Sequence, residues 1–183
     1  MYRGNNKTAI TSQEMIAEAC YGLLEKKSLA DIRISELCQL AKVSRQTFYS
    51  LFQNKENVII YLLINNYPDE IKDYMKAQNT DEMTLEHICH CFAIYMDGTL
   101  PMVKLVIRSG LSRLLAIAFY RGIICSPKKF IACTDIHYRE YMTYFLAGGL
   151  ASITEKYAAE HDVVDKEELE KMTAGLFRGE FFL

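Results

Sequence analysis

The polar residues best placed to do chemistry stand close together, at Ser44, Arg45, Gln46, Thr47 and Tyr49, with lysines on either side at Lys42 and Lys55. Arg45 and Gln46 match base edges, since a guanidinium can grip O6 and N7 of guanine and a carboxamide can grip N6 and N7 of adenine. Thr47 suits a thymine methyl or a phosphate. Tyr49, Lys42 and Lys55 suit phosphates, which fix register without reading sequence. If Ser44 caps a helix from Arg45 to Leu51, that helix is roughly 10 Å long. Its first turn, carrying Arg45 and Gln46, fits a major groove about 12 Å wide. Free amides at the helix beginning with Lys55 add an anion site.

A second cluster invites a different reading. His87, His90 and Cys91 fall at i, i+3, i+4, on one face of a helix, with Cys89 between them. Two imidazoles and a thiolate suit zinc, but a fourth ligand must come from elsewhere, and no CxxC pair is present. The six cysteines read as small buried hydrophobes, so no metal or other cofactor is expected. No nucleophile–base pair, phosphate loop or glycine fingerprint supports catalysis.

The elements that hold these groups read as helices throughout. Thr11 and Glu14 fit a capping box, and the apolar residues from Met15 to Leu24 recur at helical spacing, giving a first helix over about 12–26. Ile34, Leu37, Cys38 and Ala41 form the stripe of a short second helix. The third runs from Arg45 to Leu51, with Phe48, Leu51 and Phe52 inward. Asn54 caps a fourth, from Lys55 to about Asn66. This tight arrangement makes a helix-turn-helix. Five more helices are expected beyond it: from Asp81 to Met96, from Pro101 to Ser109, from Leu111 to Ile124, from Asp135 to Tyr157 and from Lys166 to Phe177. Asp97-Gly98 reads as a break and Pro101 as the opening of the next helix, while Pro68 suits a first helical turn, so that the fourth helix kinks or ends near Tyr67. The fold class is all-α, with about nine helices.

Charge is segregated along the 183 residues. Positions 1–55 hold eight basic and five acidic side chains, a net +3; the other 128 hold 13 and 18, a net −5. A uniformly basic nucleic-acid binder is excluded, but one that docks a positive end on a polyanion is not. No apolar run approaches the ~20 residues of a bilayer span, and the N-terminus has no apolar signal core. The chain reads as cytoplasmic, with no membrane partner.

The run from Ile34 to Glu56, ISELCQLAKVSRQTFYSLFQNKE, resembles the DNA-binding region of TetR-family transcriptional regulators. The resemblance rests on Val43, Ser44, Thr47, Phe48, Tyr49, Phe52, Lys55 and Glu56, and covers about 45 residues. It implies a DNA-binding head over 1–55 and a helical effector-binding and dimerisation body over 56–183. The implied partner is double-stranded DNA, through Arg33, Ser35, Lys42, Ser44, Arg45, Gln46, Thr47, Tyr49 and Lys55. Two positions depart from the family. Lys42 stands where Gly is usual, at a cost on the order of 1 kcal/mol if the backbone there is left-handed. Arg33 stands where a hydroxyl cap is common, leaving Asp31 or Ser35 to satisfy the free amides of the second helix.

The body adds further expectations. The family binds small apolar or aromatic effectors inside such bundles, and Tyr95, Met96, Met102, Phe119, Tyr141 and Phe145 are the candidate lining. No charged constellation in the sequence points to one ligand class. A chain of this size has a radius of gyration of roughly 16 Å, whereas successive major grooves on one DNA face lie about 34 Å apart. A homodimer is therefore expected on a pseudo-palindromic operator. The resemblance implies pairing through the last two helices, where Gly148, Gly149 and Ser152 permit close approach. Leu169, Met172, Leu176 and Phe177 supply an apolar stripe. The expected function is that of a ligand-responsive repressor. Two alternatives remain: a DNA-binding protein whose body is a protein–protein switch, and a thiol or metal sensor using His87, Cys89, His90 or Cys91.

Overall fold

The computed structural model describes residues 1–2, 4–78, 82–125, 129–130, 136–160 and 164–181. The fold is all-α. The helices among the described residues are α1 (Lys7–Leu24), α2 (Ile34–Leu40), α3 (Arg45–Leu51), α4 (Lys55–Asn65), α5 (Asp69–Ala77), α6 (Leu85–Arg108), α7 (Arg113–Cys125), α8 (Ile136–Glu160) and α9 (Lys166–Arg178). One two-residue parallel pair joins β1 (Glu82–Met83) to β2 (Lys129–Phe130).

The head closes around aromatic and aliphatic side chains. Ile16, Leu37, Phe48 and Phe52 are fully buried, and Ile32 nearly so. Caps set its helix starts. Ser44 Oγ accepts from Thr47 N at 3.0 Å, and Asn54 Oδ1 accepts from Asn57 N at 2.8 Å, so α3 and α4 begin where their caps predict.

The first helix begins earlier than expected. Asn6 Oδ1 accepts from Thr8 N at 2.9 Å, so α1 starts at Lys7 and the Thr11–Glu14 pair lies inside it. The segment before it is tied down: Tyr2 N donates to Leu51 O at 2.7 Å, and Gln13 Nε2 donates to Tyr2 O at 3.2 Å. Arg3 lies outside the described residues.

Among the described residues the body has the expected five helices, but divided differently along the chain. The segment behind Pro68, for which a first helical turn but no helix bounds were expected, forms α5. The two helices expected on either side of Gly98 and Pro101 are one 24-residue helix, α6. Gly98 is a point of close approach rather than a break: a Cβ there would meet Pro68 Cγ at 2.3 Å. Beside Pro101, Thr99 Oγ1 donates to Tyr95 O at 2.6 Å. Packing on both faces carries the helix through Pro101: Met96, Met102 and Val103 are buried. The expected N-terminal residues Asp81 and Asp135 lie outside the described residues.

α4 packs against α1 on the head side and α7 on the body side. α6 lies against α9 and α8, and α7 against α8. No described helix is long and apolar enough to cross a membrane.

Candidate nucleic-acid interface and body cavity

The outer side of α3 follows from its seven residues. Phe48 and Leu51 are buried, so Arg45, Gln46 and Tyr49 emerge on the other side, and all three are exposed. Tyr49 keeps half its surface in solvent, its ring meeting Phe48 edge-on at 5.5 Å. Among the described residues no carboxylate pairs with Lys42 or Arg45. The acidic Glu36 of α2 is held by Lys27 at 2.6 Å, and that hydrogen bond lowers the Glu36 carboxyl below its usual range. One nearby negative charge is thereby neutralised.

The turn between α2 and α3 is left-handed at Lys42, with φ +52°. Val43 N donates to Cys38 O, and Lys42 N to Gln39 O, the 6→1 and 5→2 pattern of a Schellman motif. This pattern needs a positive φ after the helix cap, where Gly would be unstrained. Lys42 accepts that strain and leaves its ammonium exposed beside α3.

Other expected contacts are placed differently. Arg33 is the residue before α2, in extended conformation, and makes no side-chain cap; Asp31 instead accepts from Ser28 Oγ at 2.6 Å. Neither expected substitute caps α2, while Arg33 and Ser35 are exposed at its start. Ser44 is occupied in capping, and its Oγ lies 2.8 Å from Thr47 Oγ1. Lys55 is the clearest correction. Its Nζ donates to the carbonyls of Ala30 and Ile32, at 3.1 and 2.7 Å, and to Leu29 O. It ties the loop between α1 and α2 to α4, so its ammonium is not a free phosphate contact.

Adjacent residues of α4 reach the body. Glu56 pairs with Arg113 at the start of α7. Asn57 donates to Phe52 O at 2.8 Å and accepts from Arg121 of α7 at 3.3 Å. One turn of α4 therefore holds both the head loop and α7.

A cavity of about 590 Å³ opens between α4, α5, α6 and α7, floored by Leu150 of α8. Of the expected lining residues, Tyr95 and Phe119 line it. Met96 and Met102 are packed in the core instead. Tyr141 and Phe145 are 76% and 63% exposed, because α8 buries its opposite face through Leu146, Ala147 and Leu150. The sequence reading missed the α5 side of the cavity, Ile71, Lys72, Met75 and Lys76. The available signal was the i, i+4 spacing of Ile71 and Met75 behind Pro68.

The expected pairing surface divides. Leu169 is fully buried in its own chain, and a Cβ on Gly149 would meet the Phe177 ring of the same chain at 2.8 Å. Gly148 faces open space, Ser152 is exposed, and Met172 and Leu176 are half-buried. Tyr138, Tyr141, Phe145 and Phe181 are all more than 60% exposed.

The histidine–cysteine cluster is engaged in structure. Thr84 N donates to His87 Nδ1 at 3.2 Å, closing a capping box on α6. His90 Nδ1 lies 2.8 Å from Glu170 Oε2 of α9, and the Tyr74 ring packs on His90 at 4.2 Å. Burial pushes the Cys89 and Cys91 thiols up, to about 12 and about 11, so both stay protonated at neutral pH. Cys20 and Cys38 are buried as expected, while Cys125 is exposed; Cys133 lies outside the described residues.

No family model matches the chain. Over 69 residues it is 36% identical to the HTH-type dhaKLM operon transcriptional activator DhaS of Lactococcus lactis subsp. lactis (strain IL1403), a stretch that covers 38% of this chain and 37% of that protein. The match thus spans well under half the length of the curated relative. Among solved structures, a dihydroxyacetone kinase operon activator DhaS aligns over 92% of this chain and 93% of its own, with TM-score 0.48 and 21% identity. A fatty acid degradation regulator FadR from Bacillus halodurans aligns over 95% and 96%, with TM-score 0.48 and 16% identity. Over the 69 matched residues the chain is similar to a helical transcriptional regulator.

Proposed function

We propose that this protein is a ligand-responsive, DNA-binding transcriptional regulator of the TetR type. In this reading residues 1–55 grip DNA, and residues 56–183 bind an effector and a second copy of the chain. The observation that carries it is the outer side of α3. Arg45, Gln46 and Tyr49 are presented to solvent on a helix locked from behind by Phe48 and Leu51, with Lys42 exposed beside them. Arg45 and Gln46 read base edges, while Lys42 and Tyr49 hold phosphates. Ser44 and Lys55 keep that surface in shape. The cavity and the contacts from α7 to Glu56 and Asn57 support a body that biases the head. A ligand shifts that bias only by its differential affinity for two states.

The dimer reading is supported by the exposed aromatic stripe of Tyr138, Tyr141 and Phe145 on α8, continued by Phe177 against Phe145 at 5.8 Å. Contiguous apolar surface of this kind marks an interface. Bound across an operator, such a dimer blocks transcription, which is the repressor reading. The relative named an activator supports the opposite sign, and a reporter driven from the operator, with and without the protein, separates them.

The test acts on both halves. Tyr141→Glu places a charge at the most exposed aromatic and touches no core residue. The expected result is a folded monomer in sedimentation, with normal circular dichroism and operator affinity at least tenfold weaker, about 1.4 kcal/mol. A variant that remains dimeric and binds DNA normally removes this interface from the account.

A further inference from the structure

We propose that the body cavity takes an amphiphilic anion, an apolar chain or ring bearing a carboxylate, with Lys72 and Lys76 receiving the charge. The proposal rests on the effector-binding reading above and names the chemical class of that effector. Among the described residues, the charged side chains lining the cavity are these two lysines, one turn apart on α5, and no carboxylate lines it. The rest of the lining is mostly apolar, with Ile71 and Met75 on α5 facing Phe92 and Phe119 across the space.

Both lysines are held by weak partners. Lys72 Nζ lies 2.6 Å from Asp69 and sits over the Tyr67 ring at 5.3 Å. Lys76 lies 3.6 Å from Asp73. These pairs are exposed, and exposed pairs of this kind contribute little, so a carboxylate at the cavity mouth can exchange with Asp69. No residue of α5 is buried, although Ile71 and Met75 face inward. An apolar tail would cover the surfaces that α5 leaves open. At about 30 Å³ per heavy atom the volume accommodates fewer than about twenty of them. A cation with the same tail would find Asp69 and Asp73 already paired with Lys72 and Lys76.

Three ten-carbon probes separate the terms: decanoate, decanol and decylammonium, titrated calorimetrically into the protein. Decanoate is expected to bind about tenfold tighter than decanol, and decylammonium more weakly than either. In Lys72→Gln/Lys76→Gln, decanoate should fall to the level of decanol while decanol binding is unchanged, which also shows that the cavity is intact. Equal binding of decanol and decanoate, a preference for the cation, or a decanoate preference that survives in the double variant overturns the anion proposal and leaves an apolar effector site standing. Failure of all three probes to bind overturns both.

Discussion

The head and the body solve the same problem, burying apolar helix faces, by opposite means. In the head α2 and α3 have seven residues each, and helix starts are set by the residue just before them, such as Ser44 for α3 and Asn54 for α4. In the body α6 and α8 have 24 and 25 residues, and the course of α6 is set also by a residue far along the chain, Pro68 against Gly98. The head is filled, with Phe48 and Phe52 fully buried. The body keeps a cavity of about 590 Å³ beside the half-buried ring of Phe119. For the proposed function, local specification suits a surface that presents Arg45 and Gln46 in one geometry, and a loosely filled body suits a part that changes.

The largest effect tests that contrast directly. Phe48→Ala should cost about 3–5 kcal/mol in denaturant unfolding, because the head cannot collapse around the void. Phe119→Ala should cost about 1–2 kcal/mol, since that ring already borders empty space. Equal losses at the two sites would erase the distinction between a filled head and an open body.

Next in size is Lys55→Ala. Loss of its bonds to the carbonyls of Leu29, Ala30 and Ile32 should destabilise the head by about 1.5–3 kcal/mol. The salt dependence of DNA binding should keep its slope. A stable variant whose slope falls by about one unit would return Lys55 to the phosphate backbone.

The smallest effect concerns the strained turn. Lys42→Gly relieves a positive φ but loosens the unfolded chain, for a net gain of about 0.5–1 kcal/mol. The same change should reduce the salt slope by about one unit, because an exposed cation beside α3 is lost. Stability and affinity then move in opposite directions, as expected of a residue kept for binding rather than for folding.

These contrasts also explain what could be read from the chain. The bounds of α3 and α4 were legible because their caps are local. The start of α1 was not, because Asn6 and Thr11 both offer a capping group and only the bonds to Thr8 and Ala9 decide between them. That Arg45, Gln46 and Tyr49 stand on the outer side of α3 was legible, but the role of Lys55 was not, its partners lying 23 to 26 positions upstream. In the body, Tyr141 and Phe145 were expected to line the cavity, because the sequence does not say which way their side of α8 faces. The packing of Leu146 and Leu150 turns it outward. The α5 lysines went unread for a related reason: their role depends on a cavity that four helices enclose.

The central claim is that the exposed cationic side of α3 grips DNA, and a fluorescence-anisotropy titration of the protein on a duplex from upstream of its own gene tests it most directly. Between 50 and 200 mM salt the logarithm of the association constant should fall linearly with the logarithm of salt concentration. Arg45→Ala should weaken binding by about 1–3 kcal/mol at the preferred sequence, with much less loss on an unrelated duplex. Absence of binding at the lowest salt, or an affinity that ignores both salt and Arg45, would contradict it.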